Sequence, residues 1–200
     1  MPRSRAPTRG RIIDGAYGLF RRKGFARSGM NEIAAASGVT KRTLYQHFES
    51  KDALLAAVLD DQHDLAVAAF RSFGDHVSGG PEEFVAAMFA DLARWSSQPR
   101  WVGSGYTRMV VELADLPGHP AHGLARRHKA VLVDEVASML ERAGCAAPRE
   151  RARELLILTE GAMMMMLIHR DRAYIDAAAC AARRLVRADA EQALGLRPMR

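Results

Sequence analysis

The sequence predicts an all-α chain of about nine helices. Three observations carry the prediction. Alanine is abundant and runs of β-branched residues are rare, which favours helix over strand. Apolar residues recur at i, i+3, i+4 and i+7 in most segments, and no stretch alternates apolar and polar residues as a half-buried strand does. Gly- and Pro-rich stretches, "FGDHVSGGPEE" and "LPGHPAHG", break the chain between periodic segments.

Residues 1–8, "MPRSRAPT", read as a flexible basic arm. A first helix is expected from Thr8 to Lys23, with Ile13, Ala16, Tyr17 and Phe20 on one apolar face and Gly24 as its stop. A short second helix follows over Met30–Ser37, with Ile33 and Ala34 inward. Gly29 sits at its N-cap and Glu32 at N3, which is half a capping box, with Ser28 as an alternative cap. Gly38 ends it. Thr40 caps a third helix over Lys41–Phe48, and Ser50 caps a fourth that carries Leu54, Leu55, Val58 and Leu59.

Beyond the break "FGDHVSGGPEE", helices are expected around Phe84–Trp95, Tyr106–Ala114, Leu124–Ala143, Pro148–His169 and Tyr174–Leu194, with "LPGHPAHG" as a loop. The periodic segments group into an arm (1–8), a first domain (9–60) and a helical second domain (61–200).

Charge divides the chain the same way. Residues 1–60 hold eleven Lys/Arg against five Asp/Glu, and the rest of the chain is balanced, so the whole net charge of +6 lies in the first third. That is the footprint of a module for a polyanion. The two cysteines, Cys145 and Cys180, show no metal or disulfide spacing and read as small apolar residues in a reducing compartment. No secretory signal is evident and the run "GAMMMMLI" is too short to span a bilayer, so a cytoplasmic protein with no membrane partner is expected.

The motif lies in "GVTKRTLYQHFESK", residues 38–51. Short helix, glycine turn, short helix is the spacing of a helix-turn-helix, here about 30–48. Ile33, Val39, Leu44 and Phe48 would pack inward, leaving the other face of the second helix for the DNA major groove. Arg42 suits guanine, Gln46 adenine and the Thr43 methyl thymine. Thr40 and Lys41 stand at the helix start, while Tyr45, His47 and Lys51 are placed for the phosphate backbone. Arg3, Arg5, Arg9 and Arg11 can reach DNA as a basic arm, with a disordered tail as the rival.

"MNEIAAASGVTKRTLYQHFESKDALL" resembles the DNA-binding domain of the TetR family of transcriptional regulators. The matching elements are Ile33-Ala34, Gly38-Val39-Thr40, Thr43-Leu44-Tyr45, His47-Phe48 and Lys51, and "RIIDGAYGLFRRKGF" resembles the family's first helix. Gly29 departs from the usual Ser/Thr. The resemblance implies a ligand-responsive regulator, by default a repressor, that grips a palindromic double-stranded operator as a homodimer and is released by a small apolar or amphipathic effector. It implies an N-terminal three-helix DNA-binding domain and a C-terminal domain for ligand binding and dimerisation. An activator of the same fold is the alternative.

In the second domain, Trp95, Trp101, Tyr106, Met109 and Met163 are candidates for the effector pocket, with plain core as the rival. Leu155, Leu158, Ala162, Ala178, Ala182 and Leu185 are candidates for the dimer interface, with burial inside one protomer as the rival. Arg108 and Glu112, at i and i+4, read as an exposed ion pair, with polar hooks in a cavity as the rival. His119, His122 and His128 lack carboxylates at matching spacing, so neither a metal nor a cofactor is expected. A search for a nucleophile elbow, phosphate loop, zinc spacing and paired carboxylates finds none; Glu112, Glu160 and His128 are scattered, and an enzyme is not expected. The effector, the operator and the regulated genes are not written in the sequence.

Overall fold

Caps and glycines set the helix boundaries. In a computed structural model describing residues 8–99, 101–116 and 118–193, with side chains to 187, nine helices and no strand occur among the described residues. They are α1 Thr8–Lys23, α2 Met30–Ala36, α3 Lys41–His47, α4 Lys51–His76, α5 Pro81–Ser96, α6 Gly105–Val111, α7 Pro120–Arg142, α8 Pro148–His169 and α9 Ala173–Ala193. Most of the arm and the expected end of the last helix at Leu194 lie outside the described residues.

The all-α expectation holds. Thr40 Oγ1 accepts the Thr43 N–H at 3.1 Å and Ser50 Oγ accepts the Ala53 N–H at 3.0 Å, so both side-chain caps form as read. At Gly29 the half box forms: its N–H donates to Glu32 Oε2 at 3.1 Å. Ser28 does not share that duty, because its buried hydroxyl donates to the Gly24 carbonyl at 2.6 Å and closes the end of α1. Two boundaries differ from expectation. Pro120 starts α7 four residues early, because a proline loses nothing at a helix's first position. The segment "FGDH" continues α4 to His76, so the break begins only after it.

The chain forms two compact units, one of residues 1–66 with 104–128, the other of 67–103 with 129–200. This boundary differs from the sequence division at residue 60, because α6 and the start of α7 pack within the first unit. Tyr106, Met109, Leu113 and Ala121 join Ile12, Ala16, Phe20, Ile33, Leu44, Leu54 and Leu55 in one buried cluster. Val39, expected inside, is partly buried. Within this unit α1 and α2 cross closely at Gly15, where an added Cβ would lie 2.4 Å from Ser37 Oγ.

In the second unit α5, α8 and α9 pack on one another with the second half of α7. Phe84, Phe89, Val136, Leu140, Leu155, Ile175 and Ala182 form its core. Arg187 of α9 adds a two-pronged ion pair to Glu82 of α5, at 3.0 and 2.7 Å. Cys145 is buried as expected, but Cys180 is exposed, since it faces away from the Ala178–Ala182 row that α9 buries.

Candidate nucleic-acid interface

α3 is a two-faced rod of seven residues. Leu44 is fully buried and fixes its roll against the core, and Phe48 just past its end is 4% exposed. The roll puts Thr40, Lys41, Arg42, Tyr45, Gln46 and His47 on the exposed side, with Thr43 partly covered. Tyr45 is 46% exposed, a large ring held in solvent beside Lys41, whose Nζ stands 6.0 Å from the ring centroid. Thr40 Oγ1 and Thr43 Oγ1 lie 2.8 Å apart, which orients the Thr43 side chain across the helix start.

The helix rests on a braced support. Lys23 of α1 pairs with Glu32 of α2 at 2.5 Å, and that bond holds the Glu32 carboxyl below its ordinary value. The support reaches further along the chain. Glu112, just past α6, accepts the Phe25 N–H at 2.7 Å and the Ala26 N–H at 2.9 Å. Arg108 donates to the Arg21 carbonyl at 3.2 Å. The two residues read as an exposed pair thus reach the last turn of α1 and the turn that follows it. Lys51 donates to the Phe25 and Ala26 carbonyls at 3.0 and 3.3 Å, and stands 4.3 Å over the Phe25 ring. Two of its three donors therefore serve the turn between α1 and α2.

A further cation joins the exposed face. The Arg9 guanidinium lies 5.2 Å from the Phe48 ring centroid, and Arg9 lines an open groove of about 440 Å³ with Tyr45, Gln46 and His47. Sequence reasoning placed Arg9 in a basic arm; the structure puts it on the first turn of α1, against the recognition helix. The signal was present in Thr8 as the expected start of α1.

The effector candidates divide between the units. Trp95, Trp101 and Met163 belong to the second; Tyr106 and Met109 are buried in the core of the first. Tyr106 stacks on His128 at 4.1 Å, and burial pushes its hydroxyl up to about 12. His128 in turn meets His63, Nδ1 to Nδ1, at 2.9 Å. That partnership was invisible in sequence because it joins α4 to α7 across 65 residues. Among the described residues no three His, Cys, Asp or Glu side chains are grouped to hold a metal ion. No described helix is long and apolar enough to cross a membrane.

The dimer candidates divide by burial. Leu155, Ala162, Ala178 and Ala182 are buried inside the protomer's own core, and only Leu158 and Leu185 remain partly exposed. Small residues on α9 serve its packing on α5 and α8. The exposed apolar row of α8 is a different one: Ile157 at 71%, Met164 at 43% and Ile168 at 62%, with Gly161 between them.

A helix-turn-helix with an exposed basic recognition face, on an all-helical body, defines the class. Residues 12–58 match the tetR family of bacterial regulatory proteins. A 65-residue stretch is 38% identical to the transcriptional regulator UidR of Escherichia coli, covering 32% of this chain and 33% of UidR. A 92-residue stretch is 42% identical to the transcriptional activator FasR of Mycolicibacterium smegmatis, covering 45% of this chain and 42% of FasR. These matches thus span less than half of each curated relative's length. A TetR-family transcriptional regulator from Streptomyces coelicolor superposes with a TM-score of 0.79 at 25% identity, over 91% of this chain and 95% of its own. The match to the family is thus carried by residues 12–58, and the all-helical body shares its fold with the solved family member.

Proposed function

We propose that the chain is a DNA-binding transcriptional regulator that grips a palindromic operator as a homodimer and is released by a small molecule. The observation that carries it is the exposed row Lys41, Arg42, Tyr45 and Gln46 on a helix whose opposite residue, Leu44, is fully buried. A basic, aromatic face of this kind has no use in the protomer's own packing and suits duplex DNA. Arg42, Gln46, Thr43 and Lys41 read base edges. Thr40, Tyr45, His47 and Arg9 meet phosphates. Lys51 acts on the interface through the turn it holds.

Dimerisation follows from the exposed row of α8, which a two-fold mate covers. The two recognition helices then sit about one DNA turn apart, ~34–36 Å, or a multiple of it. In this division of labour residues 9–60 bind DNA and 61–200 dimerise and receive the effector, in the cytoplasm. The effector must favour one spacing of the recognition helices over the other, or nothing shifts.

Selection of the chain's preferred duplex from a random pool, followed by gel shift, tests the reading. A palindromic consensus and at least tenfold weaker binding by Arg42→Ala and Tyr45→Ala are expected. Indifference to all duplexes, or unaltered affinity in both variants, overturns it. Repression is the default direction. The likeness to the activator FasR favours activation as a second reading, and a reporter driven by the selected operator separates the two.

A further inference from the structure

We infer that the second unit receives an uncharged, largely apolar molecule carrying a hydrogen-bond acceptor, a ketone, aldehyde or ester oxygen, and that the indole N–H of Trp101 donates to it. This rests on the regulator reading above and names the chemical class of its effector.

Trp101 is 4% exposed, and its Nε1–H finds no acceptor among the described residues. Buried donors are almost always paired, so an unpaired one marks a place where another molecule completes the structure. The indole nitrogen only donates, which fixes the complement as an acceptor and excludes ammonium and other pure donors.

The rest of Trp101 is held in place. Its carbonyl accepts from Arg170 Nη1 at 2.8 Å. Arg170 is the one described non-glycine residue with positive φ, 55°, at the C-cap of α8. A bulky residue in the left-handed region is uncommon and persists where its surroundings demand it. The backbone of Trp101 is therefore fixed while its indole donor is left unused.

The surroundings set the apolar character. Trp95 meets the Trp101 ring edge to face, centroids 5.4 Å apart at 90°, and is 36% exposed, so the pair runs from surface to interior. Phe89, Leu92 and Met163 belong to the same buried cluster. An N–H aimed at the Trp95 ring face is a weaker, second-order contact. An ester or ketone with an apolar body satisfies both the donor and the cluster.

The chain has two tryptophans, so ¹⁵N-labelled full-length protein gives two indole N–H signals, and Trp101→Phe assigns them. Acetophenone and ethylbenzene are matched probes that differ at one oxygen. Acetophenone is expected to move the Trp101 indole proton downfield, to bind about tenfold more tightly than ethylbenzene, and to lose that advantage in Trp101→Phe. Equal binding of the two probes, binding of neither, or an indole proton already shifted upfield by the Trp95 ring overturns the inference. If Trp101→Phe does not fold, the wild-type comparison of the two probes decides alone. Operator binding without any probe scores the regulator reading separately, so the two failures are told apart.

Discussion

Glu112 and Lys51 both grip the backbone of the same two residues, Phe25 and Ala26. The carboxylate accepts both N–H groups of Phe25 and Ala26, at 2.7 and 2.9 Å, and the ammonium donates to both of their carbonyls, at 3.0 and 3.3 Å. Gly24 makes the approach possible: its φ is 91°, and an added Cβ would lie 3.0 Å from Glu112 Oε1. The turn that sets α2 against α1 is thus fixed by side chains from α4 and from the end of α6. Charge-assisted bonds to peptide groups are the stronger kind, and four of them converge here.

Removing either grip should loosen the recognition unit. Glu112→Ala leaves two peptide N–H groups without their acceptor and should cost about 1–3 kcal/mol. Lys51→Met keeps the stem on Phe25 and removes the donors, with a similar loss. Denaturant unfolding reads both. The salt dependence of operator binding separates the roles of Lys51: a turn holder leaves the slope unchanged, whereas a phosphate clamp lowers it by about one unit.

Alanine for glycine inside a helix normally stabilises by about 1 kcal/mol. Gly15 should reverse the sign. A Cβ there meets Ser37 Oγ at 2.4 Å and the Ser37 backbone at 3.0 Å, and Ser37 is held by its bond to the Ile33 carbonyl at 2.7 Å. Backbone cannot swing aside as a flexible side chain does, so Gly15→Ala should destabilise by about 1–3 kcal/mol as α1 and α2 are forced apart. A midpoint of urea unfolding that rises instead would rule out the close crossing.

The recognition helix was legible because its determinants are local. Thr40 caps it, Leu44 fixes its roll, and both lie within a span of five residues, so one periodicity fixed which side chains face outward. The grip of Glu112 on residues 86 and 87 positions away was not legible, and neither was the Nδ1 contact of His63 with His128. Each depends on how distant helices pair. The dimer row was ambiguous for a related reason. Alanines at helical spacing permit close approach by any helix, and nothing in Ala178 and Ala182 says whether the partner belongs to the same protomer.

Tyr106 should make the first unit sensitive to alkali. An unfolded tyrosine loses its proton near ~10. In the fold, burial holds the Tyr106 proton to about 12. Between those values the folded chain binds more protons than the unfolded one, so stability falls as pH rises; the contribution is fully present below about 10 and gone above about 12. Tyr17 is raised for the same first cause and adds in the same direction. The Tyr106 share is about 2–3 kcal/mol, and Tyr106→Phe should flatten it. Urea midpoints at pH 9 and above 11, compared between wild type and variant, check the window.

Two residues of α8, two positions apart, should separate folding from assembly. Leu155 is fully buried and Ile157 is 71% exposed. Leu155→Ala opens a cavity in the second unit's core and should cost about 2–5 kcal/mol of stability. Ile157→Glu touches no core and should change the protomer's stability by only about 0.5 kcal/mol. If the row Ile157, Met164, Ile168 is where a second copy docks, the glutamate places two like charges near the two-fold axis, and sedimentation should show monomers at concentrations where the wild type is dimeric. Gly161 sharpens the test. Nothing lies within 4 Å of a Cβ added there, so Gly161→Ala should stabilise the isolated helix yet weaken association, since the added methyl stands between the two copies. A dimer that survives Ile157→Glu would place the interface on another face.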